Sequence, residues 1–342
     1  MLTERQDNVL RRLVEVYLDD GAPVGSKALA TRFEWGPSTI RHELASLEEL
    51  GLLAHPHTSA GRVPTEAGYR YFVDRLLPEP ARNPGPPTLS LSLSLVRHEL
   101  DEAMRVTTET LSQVTNLLAI VTAPPIETST IRHVELLALQ PQVLMIVVIT
   151  STGGVSKRLF TFDRPIDTGL IDWAGSYLNE RMVGLGLGAR ILHQRLHDPT
   201  LAATELNFLA ALSPAFTELE DSPEATLYVD GAAKLLTAER VADVSELNLL
   251  MESLERRVTL LEALRAALSE SQTVAVRIGA ENELPALRSL AVVAAAYGLP
   301  QRSLGAVSVI GPLRMNYGVA IRAVREASVQ LSSFVADVYD ER

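Results

Sequence analysis

The chain has 342 residues, of which 46% are hydrophobic and 21% charged, with a formal net charge of −11 and no cysteine. This length allows two or three domains, and the missing cysteine excludes disulfides, cysteine-bound zinc and thiol catalysis. The N-terminus lacks the apolar core of a signal peptide and no run of about 18 apolar residues occurs, so we expect a cytoplasmic protein that does not enter a membrane.

The acidic charge is unevenly distributed along the chain. Residues 1–77 contain 9 Lys and Arg against 11 Asp and Glu, and no acidic residue occurs between Pro56 and Thr65. The overall negative charge argues against diffuse affinity for nucleic acid, whereas the nearly neutral N-terminal part is compatible with binding it. We therefore expect any DNA binding to be site-specific.

The first 77 residues carry the signals of a small helical domain with a hairpin. Apolar residues at helical spacing predict four helices whose ends are marked by capping or terminating residues. These residues are, in chain order, Thr3 with Gln6, Gly21 with Pro23, Ser26, Ser38 or Thr39, Gly51 and Thr65. Between the third and fourth helices, residues 52–54 and 61–63 read as short strands around a polar loop. This order is typical of a winged helix-turn-helix, whose third helix and loop face DNA.

The third helix has the pattern of a DNA-reading helix. Its predicted buried stripe is Ile40, Leu44, Leu47 and Leu50, and 3.6-residue geometry then turns Arg41 outward. An outward arginine near the start of such a helix can bind a guanine edge, which contributes about 1–3 kcal/mol of discrimination. The candidate DNA contacts of the helices and the loop are Ser26, Lys27, Ser38, Thr39, Arg41, His42, Ser46, His57, Thr58, Ser59 and Arg62.

These candidates have different expected roles. Ser38 and the free N–H groups at the helix start suit a phosphate, as do Ser26 and Lys27. The loop residues are hydrogen-bond donors, and Arg62 is a candidate phosphate or minor-groove probe. On the pattern alone, an ordinary three-helix protein-interaction module with a surface hairpin stays open as the alternative.

A proline-rich segment separates this N-terminal part from the rest of the chain. Residues 78–87, PEPARNPGPP, hold five prolines, which indicates a semi-rigid linker. Beyond it, apolar runs predict strands at 143–149, 155–162, 226–229, 274–278, 290–297 and 306–310. Helical patterns cover 166–224, 244–268 and 317–338, and residues 89–95 are ambiguous. We therefore predict an α+β domain at 88–165 and 225–342, interrupted by a mostly helical insertion at 166–224.

Three motifs in this part are candidate sites. His193 and His197 have a metalloprotease spacing, but Gln194 stands where the general base is required, and residues 184–188, GLGLG, lack the strand and helix of a dinucleotide fingerprint. A third group, Arg277 with Glu281, Asn282 and Glu283 after a turn at Gly279, places no nucleophile; its charges are expected to bridge domains. We expect no catalytic residues, no metal and no cofactor, and hence no enzyme.

Five segments resemble the heat-inducible transcription repressor family, HrcA. They are GAPVGSKALA, STIRHELASLEELGLL, HPHTSAGRVPTEAGYRYFVD, VRIGAENE and GPLRMNY, in the family's order and spread over nearly the whole chain. The chain departs from the family pattern at His42, where Asn is common, and at Leu313 and Asn316.

The resemblance implies both a fold and a function. The fold is an α+β multidomain one: an N-terminal winged helix-turn-helix and a GAF-like α+β domain interrupted by a mostly helical, dimerising insertion. The function is negative regulation of transcription, in the stress response to heat shock. The resemblance implies a repressor of chaperone operons that binds an inverted-repeat operator in double-stranded DNA as a homodimer, with activity dependent on the chaperonin GroEL. The alternative is a winged-helix repressor controlled by a small-molecule ligand in the GAF-like domain.

Overall fold

The computed structural model describes residues 2–56, 61–77, 89, 91, 100–124, 130–150, 155–186, 190–217, 227–237, 264, 268, 273–299 and 302–340. Several predicted features lie outside the described residues. They are the loop donors His57, Thr58 and Ser59, the linker at 78–87, a hairpin turn expected at Gly153-Gly154, and nearly all of 89–95 and 244–268.

Residues 2–56 and 61–77 form a winged helix, which we call the head. Its elements are α1 (Glu4–Asp20), α2 (Ser26–Ala30), α3 (Pro37–Glu49), β1 (Leu53–Ala54), β2 (Val63–Pro64) and α4 (Glu66–Tyr71), which continues into a π-helical turn (Phe72–Leu76). β1 and β2 pair antiparallel and form the base of the wing. The order predicted from the sequence is therefore confirmed.

Several predicted helix ends of the head are confirmed. Thr3 and Gln6 form the complete capping box of α1, and Gly21 ends that helix with a left-handed φ of 72°. Thr65 caps α4 by accepting a hydrogen bond from the Gly68 N–H at 3.1 Å. Each of these residues satisfies backbone groups that the helix end leaves without an intrahelical partner.

Two predicted caps and one core residue are wrong. α2 and α3 are capped by Gly25 and Gly36, so Ser26 and the Ser38–Thr39 pair lie inside the helices. Proline at the first helical position explains the shift in α3, because the fixed φ of Pro37 suits that position and its missing N–H needs no partner. Leu50 is 59% exposed, because α3 ends one residue before it and Gly51, at φ +73°, turns the chain.

The rest of the chain forms a five-stranded sheet and a three-stranded sheet, each with its own helices. Its elements are α5 (Leu100–Thr115), β3 (Leu118–Thr122), β4 (Ile131–Gln140), β5 (Val143–Thr150), β6 (Val155–Thr161), α6 (Thr168–Met182), α7 (Arg190–Leu196), α8 (Ala203–Leu212), α9 (Pro214–Thr217), β7 (Leu227–Asp230), α10 (Ala232–Thr237), β8 (Val274–Ile278), β9 (Leu290–Leu299), β10 (Arg302–Pro312) and α11 (Tyr317–Asp340). Short 3-10 turns follow β8 at Gly279–Glu281 and Pro285–Leu287. The whole is an α+β multidomain protein, as predicted.

The α+β domain is built on a five-stranded antiparallel sheet in the order β7-β3-β10-β9-β8. The long helices α5 and α11 pack on one face of this sheet. The buried residues of the opposite face form a separate apolar cluster that includes Ile120, Leu235 and Val292. All five residues of β3 are buried, as expected for a central strand with both faces covered.

The insertion begins earlier than predicted. The chain leaves the five-stranded sheet after β3 and returns to it at β7, and in between β4, β5 and β6 form their own three-stranded sheet. Leu144, Ile146 and Val148 share one core with residues of α6, α7, α8 and α9. The boundary predicted between residues 165 and 166 is therefore wrong, because the 143–162 hairpin packs with the helices that follow it. Strand β4 was missed because its apolar residues do not alternate regularly with polar ones; only Ile131 and Val134 of this strand are buried.

Candidate nucleic-acid interface

Helix α3 presents a row of polar side chains on its outer side. Ile40, Leu44 and Leu47 are buried in the core of the head, whereas Arg41 and His42 are exposed. Ser38 is also exposed, and Thr39 and Ser46 are half-buried at the borders of this row. At the start of α2, which packs against α3, Lys27 is exposed and Ser26 half-buried. The structure thus leaves the predicted reading side of α3 open to a partner.

Arg62 lies at the wing root, which we define as His55 and Arg62, the residues that flank the wing. Its Nη2 lies 2.7 Å from Oε2 of Glu48, and its Nη1 lies 2.5 Å from Nε2 of His55. The backbone of Arg62 also pairs in both directions with Val24, with two hydrogen bonds of 2.9 Å. The predicted probe is therefore held against the last turn of α3 and does not project freely into solvent.

Glu48 is a residue that the sequence analysis missed. It lies on α3 outside both the buried stripe and the N-terminal segment expected to read bases. In the sequence, the signal that could have indicated a role for Glu48 was its charge. It is an acidic residue about one helical turn before the wing, and the residues that flank the wing loop are a histidine and an arginine, which can pair with it.

Glu43 is a second acidic residue of α3 that the sequence analysis passed over. It is only 8% exposed and pairs with Arg5 of α1 at 3.5 Å, and the Arg5 guanidinium lies 5.2 Å from the ring centroid of Trp35. Glu43 stands three residues after Ile40 and four before Leu47, so helical periodicity already placed it on the inner side. Its role is to hold α1 and α3 together.

The head is joined to the α+β domain by an ion pair between α4 and the turn after β8. Arg70 donates from Nε to Glu281 Oε1 at 2.8 Å and from Nη2 to Glu281 Oε2, and also to the Val276 carbonyl at 2.6 Å. The hydrogen bond to Glu281 raises the pKa of Arg70. Burial acts to raise the pKa of Glu281, but the hydrogen bonds from Arg70 and the Ile278 N–H, together with nearby positive charge, leave it lowered.

The same interdomain interface has a second contact in this turn. Glu66 of α4 accepts a hydrogen bond from the Ala280 N–H at 2.9 Å. Gly279 adopts a left-handed φ of 58°, and a Cβ at this position would overlap the Glu66 carboxylate. The turn therefore requires glycine both for its backbone conformation and for the close approach of the head.

A third contact joins the C-terminal end of α1 to the segment after β10. Arg314 donates from Nη2 to the carbonyl oxygens of Leu18 and Asp19 at 3.2 and 3.4 Å, and its guanidinium lies 5.6 Å from the Tyr17 ring centroid. These carbonyls are among those that a helix end leaves without an intrahelical partner, and a cation suits that end of the helix. The expectation that charges of the VRIGAENE segment bridge domains is confirmed, and GPLRMNY shares this role.

The other motifs show structural roles in the described residues. Nδ1 of His197 lies 3.0 Å from the His193 carbonyl oxygen, and the two rings are 4.3 Å apart. Asn282 is buried and donates to the carbonyls of Gly279, Leu287 and Leu290. Within the part of the chain that the structure describes, no three His, Asp or Glu side chains are grouped as metal ligands. Over the same residues, no helix has the length and apolar character needed to cross a membrane.

Two family descriptions match this chain. Residues 1–75 match the winged helix-turn-helix transcription repressor, HrcA DNA-binding family, and residues 101–321 match the HrcA protein C terminal domain. Together they cover well over half of the chain. The first match falls on the head, and therefore on the helix α3 whose polar side is exposed.

Curated relatives align over nearly the full length. The heat-inducible transcription repressor HrcA of Parafrankia sp. (strain EAN1pec) is 36% identical over 95% of this chain and 96% of its own. The proteins of the same name from Thermobifida fusca (strain YX) and Bacillus pumilus (strain SAFR-032) are 36% and 31% identical, over 98% and 100% of both chains.

A solved structure described as a hypothetical protein at 2.2 Å resolution has the same fold, with a TM-score of 0.71 and 21% identity over 99% of this chain and 100% of that one. The two family matches, the full-length relatives and the winged-helix head lead to one conclusion: the chain belongs to the HrcA family of heat-inducible transcription repressors, and its head is the DNA-binding domain of that family.

Proposed function

We propose that this protein is a negative regulator of transcription that represses heat-shock chaperone operons by binding an inverted-repeat operator as a homodimer, with activity dependent on the chaperonin GroEL. The observation that carries the proposal is the exposed polar row of α3 in a head that belongs to a family of DNA-binding domains.

In this proposal α3 enters the major groove. Arg41 and His42 are exposed near the start of the helix, where a recognition helix contacts base edges. Ser38, Thr39 and Ser46 border them, and Ser26 and Lys27 supply phosphate contacts from the start of α2. The wing contributes His57, Thr58, Ser59 and Arg62 to the backbone or minor groove. Arg41 is the residue expected to discriminate most, through a bidentate contact with guanine.

The homodimer is proposed to form through the outer face of the three-stranded sheet. Strand register places Leu137, Met145 and Leu159 side by side in one row across that face. A second row on the same face, four residues away along each strand, contains Ile149 and Val155. Leu159 is 65% exposed, whereas the opposite face of the same sheet is covered by helices. An apolar face of this kind is typical of a protein–protein contact.

Charges on this face support pairing with a second copy. Glu135 and Lys157 flank Val147 on the two outer strands, in one row across the sheet. If a two-fold axis runs along the strands, β4 of one copy lies over β6 of the other, and Glu135 of each copy faces Lys157 of the other. In such a two-fold contact both copies use the same surface, so no copy of that surface is left for a third chain and the assembly is a closed dimer.

Two substitutions of matched exposure test the dimer. Leu159→Asp places a charge on the proposed contact, whereas Val329→Asp places one on α11, where the native side chain is 62% exposed. We expect light scattering coupled to gel filtration to report a monomer for the first and a dimer for the second. A dimer in both, or a monomer in both, would remove the sheet face from the proposal.

The dependence on GroEL has a physical basis in the same face. A chain that is not yet paired exposes this apolar surface to water, and such surfaces drive aggregation. A chaperonin that sequesters the unpaired chain would keep more of it competent for pairing and DNA binding. Addition of GroEL to refolding protein should therefore raise the fraction that binds operator, and an unchanged fraction would refute this part.

The central experiment is a fluorescence-anisotropy titration of an inverted-repeat duplex from a chaperone promoter, with a scrambled duplex as control. We expect tight binding to the repeat, weak binding to the control, and a loss of preference in Arg41→Ala that corresponds to about 1–3 kcal/mol. Equal weak binding to both duplexes, also in the presence of GroEL, would overturn the proposed function.

A further inference from the structure

We propose that Glu48 is a positioning residue for DNA binding: it holds the wing root against α3 so that Arg62 is presented to the DNA backbone in a fixed orientation. This inference rests on the proposed function and adds to it an acidic residue on the reading helix. If it holds, neutralisation of Glu48 weakens DNA binding, whereas charge repulsion alone predicts that it strengthens binding.

The contacts at the wing root are short and converge on one guanidinium. Oε2 of Glu48 accepts from Nη2 of Arg62 at 2.7 Å, and Nε2 of His55 lies 2.5 Å from Nη1 of Arg62. A guanidinium can only donate, so Nε2 of His55 is the acceptor in this contact. Nδ1 of the same ring lies 3.9 Å from Oε1 of Glu48, so the carboxylate faces both side chains of the wing root.

The main chain at Arg62 is held in place by its neighbours. Arg62 pairs with Val24 through two backbone hydrogen bonds, and a Cβ at Gly61 would overlap the Val24 carbonyl group. The next residues form β2, which pairs with β1, and β1 begins four residues after the last residue of α3. The main chain thus fixes where Arg62 starts, and Glu48 fixes where its guanidinium lies.

Arg62 keeps donors for a further partner after these contacts are made. A guanidinium has five N–H groups. Glu48 and His55 accept two of them and the Nε–H is buried, so one N–H on each Nη is left for a phosphate. Its side chain is 19% exposed, so the guanidinium is ordered but still reachable from solvent. A pre-ordered donor loses less conformational entropy when it binds a phosphate than a free arginine side chain would.

Simple electrostatics predicts the wrong role for Glu48. A carboxylate in a DNA-binding head repels phosphates, so its neutralisation should strengthen binding or leave it unchanged. If Glu48 orders Arg62, its neutralisation should instead weaken binding, because the guanidinium loses its charge-assisted hydrogen bond and must be ordered by the DNA itself. The sign of the effect separates the two accounts.

The test compares Glu48→Gln with Glu49→Gln in the full-length protein, by anisotropy with the inverted-repeat duplex. Both substitutions remove one negative charge from the last turn of α3, but Glu49 is exposed and lies outside the contacts of the wing root. We expect Glu48→Gln to weaken binding by about twofold to tenfold, the cost of ordering one flexible side chain at the moment of binding. Glu49→Gln should bind as tightly as the unchanged protein or more tightly.

A double substitution shows whether Glu48 acts through Arg62. Arg62→Ala should weaken binding and reduce the salt dependence by about one phosphate contact. Glu48→Gln added to Arg62→Ala should cause no further loss, because two residues that act through one contact are not additive. Independent, additive losses would mean that Glu48 affects binding by another route and would overturn the inference.

Controls keep the failure of this inference distinct from failure of the proposed function. If the unchanged protein prefers the repeat and Glu48→Gln binds equally well, the positioning role is overturned while the repressor remains. If the unchanged protein shows no preference, the proposed function itself fails. Thermal melting checks that the variants fold, and Glu48→Asp, which keeps the charge, should bind more tightly than Glu48→Gln at equal folded fraction.

Discussion

The head uses the same residue types in opposite ways on its two sides. Arg70, on the side that faces the α+β domain, donates to Glu281 and to a backbone carbonyl. Arg41, on the outer side of α3, is exposed. A polar group buried between domains must find its partner within the protein, or its desolvation is not compensated. Polar residues at the interdomain interface therefore hold the structure together, whereas those on the outer side of α3 remain available to a ligand.

The interdomain interface is broken most strongly at Gly279. In Gly279→Val a β-branched residue would have to adopt a left-handed φ, and its side chain would displace the Glu66 carboxylate from the Ala280 N–H. We expect a loss of about 2–3 kcal/mol in the free energy of unfolding, measured by urea denaturation.

Gly279→Asn separates the two causes of this loss. Asparagine tolerates the left-handed conformation better than valine does, but it carries a Cβ that meets Glu66 in the same way. A smaller loss than in Gly279→Val assigns the difference to backbone strain. An unchanged unfolding free energy in the valine variant would mean that the turn rearranges freely and that the interface does not depend on it.

Removal of one arginine from each side of the head should affect stability on one side and DNA binding on the other. Arg70→Ala should lower the free energy of unfolding by about 1–3 kcal/mol, towards the lower end because both partners are partly exposed. Arg41→Ala should change it by less than about 0.5 kcal/mol, as is usual for exposed helical positions, while it removes operator preference.

We expect Arg70→Ala to lower mainly the free energy of unfolding and Arg41→Ala to lower mainly operator preference. Chemical denaturation and anisotropy on the same two variants provide the check. If Arg41→Ala destabilised the protein as much as Arg70→Ala does, the outer side of α3 would have a structural role that its exposure does not suggest.

The winged helix was predictable because its signals are local. The capping box at Thr3, the left-handed Gly21 and the apolar spacing of α3 each act within a few residues, and each is observed. The predicted buried stripe of α3 extended one residue too far, to the exposed Leu50, since the end of a helix depends on the turn that follows it.

The pairings between distant residues were not predictable in the same way. Arg70 and Glu281 are 211 positions apart, and nothing in either local pattern names the other. The earlier start of the insertion depends likewise on which core covers β5, and an apolar strand fits either core. The role of Glu48 depends on the fold of the wing root, since the α3 pattern alone shows only a polar position.

The smallest expected effect is a pH dependence at the interdomain interface. Burial acts to raise the pKa of Glu281, but the hydrogen bonds from Arg70 and the Ile278 N–H and the nearby charges leave it below the ordinary value of 4.5. A carboxyl group whose pKa is lowered by folding stabilises the folded state above that ordinary value, and this contribution is lost as the pH falls through the lowered pKa.

Glu281→Gln isolates this contribution, because glutamine keeps the shape of the side chain without its titrating charge. The variant should unfold at a lower urea concentration than the unchanged protein at about pH 7, and the difference should shrink steadily as the pH falls below 4.5. Other carboxylates titrate in the same range in both proteins, so only the difference between them reports on Glu281. A difference that stayed constant with pH would mean that the charge of Glu281 does not stabilise the docked head, and the contact with Arg70 would then act by shape and hydrogen bonding alone.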